Sequence, residues 1–212
     1  MYPVNKIIIS VAIGYLFGSF LTAEAVSYKC TGKSIKYIGT GNPGMANVMS
    51  QIGKKQGVIV LVGDILKILV AFFLSWQITG QTSTDQMILF TGFGGILGHN
   101  YPLWRKLHGG KGVTVTCTWL IVLMPLWGTI SCIAGGIITL LTGYLPLGAV
   151  LIPFIAIPFT FWQKGIIAGC IMTAASFIMF TKHYHGLKRI IQGKENKINL
   201  INFSHQHRHT TK

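Results

Sequence analysis

Apolar residues in this chain come in long runs, set apart by short polar stretches rich in lysine and glycine. The run from Ile7 to about Tyr28 has the length of a helix that crosses a bilayer. It carries one acid, Glu24, which marks either a polar cavity or the water boundary beside Lys29. Residues 29–56 then form a polar segment holding Lys29, Lys33, Lys36, Lys54 and Lys55. Inside it, Gly39-Thr40-Gly41-Asn42-Pro43-Gly44 is a cluster of turn formers that excludes a regular helix. Gly57 to Ile78 predicts a second span, with Asp64 and Lys67 on one helical face. Such a neutralising pair either lines a functional cavity or is a structural ion pair near the interface. Met87 to Trp104 predicts a third span, interrupted by Gly92, Gly94, Gly95 and Gly98, small residues that let helices approach closely. It ends in the polar, helix-breaking sequence His99-Asn100-Tyr101-Pro102.

The next polar stretch, Trp104 to Thr116, joins Arg105, Lys106, His108 and Lys111 to Gly109, Gly110 and Gly112. Glycines there permit positive φ and turn several N–H groups toward one anion. The cations supply charge, and a helix starting after Gly112 would add its positive end. One reading is a phosphate cradle at the membrane edge. The other is a basic loop whose glycines only turn the chain. The spacing is not that of a nucleotide-binding P-loop.

Lysine and arginine gather on the cytoplasmic side of membrane proteins, which puts residues 29–56, 105–111 and 182–212 inside. The loop from Thr79 to Gln86 has no Lys or Arg and faces outside, as does the N-terminus. An even number of crossings must then fit between Gly112 and Lys182. Four can be drawn, Val113–Trp127, Thr129–Leu141, Leu145–Trp162 and Gly165–Thr181, giving about seven spans, with five as the alternative. The seven-span drawing leaves Lys164 outside, against the charge rule. After Lys182, Leu187, Ile190 and Ile191 share a face opposite Lys188, which suits a short interfacial helix.

Composition agrees with this pattern. Half of the 212 residues are apolar and 10% are charged, whereas a soluble domain has about 25% charged residues. The 18 Lys+Arg against four acids give a net charge of +14. Nucleic-acid binders share that imbalance but do not set their basic loops between membrane-length runs, so no nucleic acid is expected. Anionic lipid and anionic substrates account for both facts. Cys30, Cys117, Cys132 and Cys170 lack metal-ligand spacing and read as buried, inert thiols. The first apolar run is too long for a removed signal peptide and is read as retained. Residues 1–195 form the membrane domain and 196–212 a basic tail. Its alternating His205, His207 and His209 are not read as a metal site.

Taken in order, these segments resemble the bacterial PlsY-type acyl-phosphate:glycerol-3-phosphate acyltransferases, from Gly18-Ser19 to Glu195. Gly39 to Asn47 is similar to that family's first motif, Gly-Ser-Gly-Asn-x-Gly-x-Thr-Asn. Asp64-x-x-Lys67 is similar to its Asp-x-x-Lys element. Gly98-His99 with Gly109-Gly110-Lys111-Gly112 is similar to its second motif, and Lys182-His183 with Gly193-x-Glu195 to parts of its third. The resemblance implies an all-α, multi-pass enzyme of the bacterial cell membrane, with three cytoplasmic motif loops and neither cofactor nor metal. It implies fatty acyl phosphate and glycerol 3-phosphate as substrates, lysophosphatidate and phosphate as products, and a role in phospholipid synthesis. A monomer accommodates all of this.

His183, Thr40 and Lys111 are the implied catalytic residues, His183 as a base or as a hydrogen-bond donor to phosphate. Lys36, Gly41, Asn42, Asn47, Lys67, Gly109, Gly110, Gly112 and Glu195 are the implied binding residues. The asparagines either touch substrate or cap their own turns. The chain also departs from the family pattern. Thr40 stands for Ser, Lys36 for Arg and Ala46 for Thr. Gly143, Pro146 and Ala149 replace an Arg and two serines, and Tyr184, His185 and Gly186 replace Arg, Glu and Asn. The alternative reading is therefore an altered or inactive paralogue that binds lipid or phosphate as an accessory protein.

Overall fold

The computed structural model describes residues 3–80 and 84–197, and every regular element among them is helical. The histidines of the tail at 205, 207 and 209 lie outside the described residues, as does part of the loop expected after Thr79. The helices are α1 (Val4–Ser19), α2 (Thr22–Thr31), α3 (Met45–Gln51), α4 (Lys54–Thr79), α5 (Thr84–Asn100), α6 (Val113–Leu123), α7 (Pro125–Thr142) and α8 (Leu145–Ile191). Four helical stretches among the described residues are long and apolar enough to cross a membrane. They are Val4–Thr31, Lys54–Thr79, Pro125–Thr142 and Leu145–Ile191, with Val113–Leu123 a shorter apolar helix.

The first apolar run is not one straight helix. It breaks at Phe20 and Leu21, both extended. Helix ends leave carbonyls without intrahelical partners, and here Lys67 of α4 donates to the Phe20 carbonyl at 2.8 Å. Thr22, at the restart, donates to Asp64 at 3.0 Å. The Asp-x-x-Lys pair is thus an ion pair (2.8 Å) that also fixes this break.

α1 and α5 run parallel and touch backbone to backbone. Gly14 lies against Thr91, Gly18 against Gly95, Gly94 against Val11 and Gly98 against Tyr15. Reciprocal glycines four apart remove the side chains that would hold two helices at ordinary spacing. α6 and α7 form a hairpin about Met124, where Pro125 opens α7 and Gly128 meets the Leu120 carbonyl. α7 returns against α8 through Gly135 beside Gly148, and Trp127 stacks on Phe159 at 3.9 Å.

α8 is two limbs. Gly165, at φ 84°, breaks it, and Gly169 packs on Phe161 as the chain turns back. Pro153 and Pro158 do not break the first limb. Lys164 pairs with Asp85 at 2.6 Å, tying this turn to the start of α5. The basic segment expected as a separate interfacial helix is the end of the second limb, because nothing between Lys182 and Ile191 interrupts the helix.

The main core gathers Ile68, Phe72, Ile96, Trp119, Leu120 and Met172. A smaller cluster of Ala23, Ile35, Val48 and Val60 supports the polar segment after α2. The expectation of buried cysteines is corrected. Cys30 and Cys170 are exposed and Cys117 and Cys132 partly so, because all four sit on outward or boundary faces of their helices.

Candidate active site

The loop between α5 and α6 closes on itself like a hairpin. The Gly110 N–H donates to the His99 carbonyl at 2.9 Å, Gly109 to Asn100 at 3.2 Å and Leu107 to Pro102 at 3.0 Å. Glycine is required where the strands of this loop meet. A Cβ on Gly109 would strike the His99 carbonyl, and one on Gly110 would strike His99 Nε2. Gly112 caps α6 at φ 78°, with the Asn100 carboxamide where a side chain would sit. At the tip, Lys106 and Leu107 both hold positive φ, which costs non-glycine residues about 1–2 kcal/mol each.

Four hydrogen bonds with α1 and α2 hold that tip. Tyr15 donates to the Tyr101 carbonyl at 2.8 Å and accepts from the Leu103 N–H at 3.1 Å. Trp104 Nε1 donates to the Ser19 carbonyl at 2.8 Å. Arg105 donates to Glu24 at 2.8 Å. Glu24 is thus paired across the fold with Arg105, a partner the sequence did not point to.

This clamped turn presents Lys111 to the end of α8. Burial pushes the Lys111 ammonium below its ordinary value, the Glu195 carboxylate opposes that shift and the Arg189 guanidinium adds to it. Arg189 Nε donates to Glu195 at 2.5 Å, closing the C-terminal hook. The charge of Lys111 also reaches His183. His183 is fully buried; its Nδ1 lies 3.0 Å from the Met179 carbonyl, and its Nε2 has no hydrogen-bond partner among the described residues. A carbonyl only accepts, so Nδ1 carries the proton and Nε2 keeps a lone pair in the neutral ring. Lys182 donates to the Asn100 carbonyl at 2.6 Å and lies 4.0 Å over the Tyr101 ring. Asn100 is fully buried, and neither carboxamide atom has a partner among the described residues.

The structure therefore brings together Lys111, Gly109, Gly110, Gly112, His183 and Glu195. Lys67 stands behind them and is saturated. Its ammonium meets Asp64, the Phe20 carbonyl and His99 Nδ1 at 2.8, 2.8 and 2.9 Å, and the residue is 6% exposed. All three protons are engaged, so Lys67 has none left for a substrate anion.

The Gly39–Asn47 segment is a separate platform. Asn47 accepts from the Thr40 N–H at 3.0 Å and donates to the carbonyls of Ile38 and Asn42 at 2.9 and 3.1 Å. Its side chain is spent on bracing the loop. Gly41 holds φ 70°, Thr40 and Lys36 are exposed, and Asn42 is partly buried. Among the described residues, no hydrogen bond joins this platform to Lys111 or His183. Sequence reasoning missed Asn100, Arg189 and Lys197, because nothing in their spacing distinguishes them from a polar helix end or a basic tail.

Two departures from the family pattern have visible neighbours. Lys197 fills the space beside Gly143, where a Cβ would lie 3.1 Å from the lysine Cβ, and its ammonium is 5.7 Å from the Tyr144 ring. Pro146 fills the space beside Gly186.

Comparison with known proteins identifies the family and the fold. The sequence model of the glycerol-3-phosphate acyltransferase family matches residues 8–193. Glycerol-3-phosphate acyltransferase 1 of Lactobacillus johnsonii is 30% identical over 193 residues, covering 91% of this chain and 93% of the relative. The Allorhizobium ampelinum enzyme is 31% identical over 196 residues, covering 92% and 93%. The crystal structure of PlsY, an integral membrane glycerol 3-phosphate acyltransferase, in its glycerol 3-phosphate form superposes with TM-score 0.79 at 26% identity, covering 91% of this chain and 96% of that one. Its lysophosphatidic acid form gives 0.78 at 25% identity, covering 93% and 97%. The chain belongs to the glycerol-3-phosphate acyltransferase family.

Proposed function

We propose that this chain transfers a fatty acyl group from acyl phosphate to the 1-hydroxyl of glycerol 3-phosphate, at the cytoplasmic face of a bacterial membrane. The observation that carries the reading is the meeting of Lys111 and His183 beside the Gly109–Gly112 turn. The acceptor hydroxyl loses its proton to His183 Nε2, whose lone pair is free. The alkoxide oxygen bonds to the acyl carbon, the carbon–oxygen bond to phosphate breaks, and the ester lysophosphatidate leaves with inorganic phosphate. Acyl phosphate is already activated, so positioning and charge stabilisation carry the reaction without a covalent enzyme intermediate. Lys111 and the N–H groups at the start of α6 meet phosphate charge. The Thr40 hydroxyl, Gly41, Asn42 and Lys36 form a second polar surface for the other phosphorylated reactant.

Cations supplied from other positions of the chain support activity over the accessory reading. Lys197 stands beside Gly143, where the family pattern has Arg, and Arg189 stands beside Lys111. The helical rods support seven crossings: α1 with α2, α4, α5, α6, α7 and the two limbs of α8. The turn at Lys164 then shares the outer end with Asp85, which neutralises it and meets the objection its charge raised.

The test is purified protein with palmitoyl phosphate and glycerol 3-phosphate, following phosphate release. Turnover by the wild type and its loss in Lys111→Ala are expected. No release above the buffer control from either protein overturns the reading. For orientation, Cys30 is exposed on the loop side. A maleimide that cannot cross membranes should label it in inside-out vesicles and spare it in intact cells.

A further inference from the structure

His183 and His99 lie beside the same turn, each engaged at Nδ1 and each left with Nε2. Lys67 lies 2.9 Å from His99 Nδ1. With the Asp64 carboxylate 2.8 Å from its nitrogen, Lys67 is held as an ammonium, which has three donors and no acceptor. Nδ1 of His99 must then offer its lone pair, so the ring proton sits on Nε2. That N–H packs on Gly110, at the place where any other residue would carry a Cβ. No protein acceptor meets Nε2 among the described residues. Around the same turn, Asn100 Oδ1 and Nδ2 and His183 Nε2 are buried and have no partner among the described residues. Polar atoms gathered without partners in this way mark a place where a ligand completes the bonding.

We propose that His99 Nε2–H is a hydrogen-bond donor to the phosphate group held at the Gly109–Gly112 turn, and that Asp64 and Lys67 are positioning residues that lock its tautomer. Beside one turn the protein thus sets a base, His183 with a lone pair, and a neutral donor, His99 with an N–H. The division follows from what each Nδ1 meets, a carbonyl in one case and an ammonium in the other. The inference rests on Lys111 and its turn binding phosphate. It also accounts for the buried Asp64–Lys67 pair, whose charges are too well satisfied to touch substrate. Fixing a histidine through its second nitrogen is the usual way a protein selects which nitrogen works.

The experiment compares wild type, His99→Phe, His99→Gln, Lys67→Met and Lys111→Ala, purified in detergent. The Michaelis constants for glycerol 3-phosphate and for palmitoyl phosphate are measured separately, since the phosphate at the turn belongs to one of the two. His99→Phe is expected to raise one of these constants by about 10- to 100-fold, the range for a hydrogen bond to a charged group. His99→Gln, which keeps a donor, is expected to recover most of the loss. If Lys111→Ala raises a constant and His99→Phe raises neither, this inference falls while the phosphate site stands. If Lys111→Ala changes neither, the site reading itself falls. Nitrogen-15 spectra of histidine-labelled protein decide the matter even where a variant fails to fold. Wild type should show His99 protonated at Nε2, with that resonance moving when the bound substrate is added, and Lys67→Met should lose the preference. A proton on Nδ1, or an Nε2 signal unmoved by either substrate, overturns the proposal.

Discussion

A Cβ on Gly186 would lie 2.7 Å from Pro146 Cγ and 3.0 Å from its Cβ. Both residues depart from the family pattern, which places Asn and Ser there, and the contact makes them one change in place of two. The proline ring occupies the room that an asparagine side chain would need. Gly186→Asn alone should therefore overpack a buried position, at a cost of about 1–3 kcal/mol. Adding Pro146→Ser should return most of it, since residues in contact couple in double-mutant cycles. Melting temperatures of the two singles and the double in one detergent measure this. An additive double mutant would show that the two sites are independent.

Lys111 carries the pH dependence. Burial holds its ammonium below the ordinary lysine value, so it loses its proton at a lower pH than a surface lysine. On the proposed reading the charged form binds phosphate, so the contact weakens as pH rises through that lowered value. The Michaelis constant for the substrate at this turn should rise on the alkaline side. Lys111→Arg, which stays charged throughout, should flatten that limb. Lys111→Ala should cost about 10- to 100-fold in kcat/KM at neutral pH, as expected for a hydrogen bond to a charged group. The full pH profile of the three proteins is the measurement.

The Arg105–Glu24 pair holds the loop tip to α2, with side chains 10% and 12% exposed. Removing one partner strands a nearly buried charge, so Arg105→Met should cost about 3–5 kcal/mol. The double variant Arg105→Met with Glu24→Gln should be much closer to wild type in thermal unfolding. Its activity should still fall, because the strained backbone at Lys106 and Leu107 loses an anchor and Lys111 loses its fixed position. Equal losses of stability in single and double variants would contradict this account.

The helical frame was legible because long apolar runs and their breaking residues are local features. Gly165 opens a turn where the sequence placed it, the turn before α7 falls at Pro125 and not at the drawn boundary of Gly128, and Asp64 with Lys67 pairs as spacing on one helical face requires. The break at Phe20 was not legible, since its cause is a lysine 47 residues away. Neither was the partner of Glu24, where Lys29 is near in sequence and Arg105 is near in space. Site chemistry divides along the same line. Residue type and motif order made Lys111 and His183 candidates, and the fold brings the two together. That Lys67 is saturated, and that Lys197 stands where Gly143 lacks a side chain, depends on folds of the chain that no spacing encodes.

Glycines in this chain do two different jobs, and one pair of substitutions separates them. At Gly98 a Cβ would meet the Tyr15 carbonyl and lie 2.8 Å from the Ser19 nitrogen, both backbone atoms of α1 that cannot step aside. Gly98→Val must therefore push α1 and α5 apart. The displacement acts directly on His99, the next residue, and on the Ser19 carbonyl that holds Trp104. At Gly136, in α7, a Cβ would meet nothing within 4 Å. Gly136→Ala gains about 1 kcal/mol of helix propensity, which should raise the melting temperature by about 2–4 °C for a chain of this length and leave turnover unchanged. Gly98→Val should lose both the sharp thermal transition and phosphate release. If Gly98→Val melts and turns over like wild type, the parallel α1–α5 crossing does not set the position of the active-site loop.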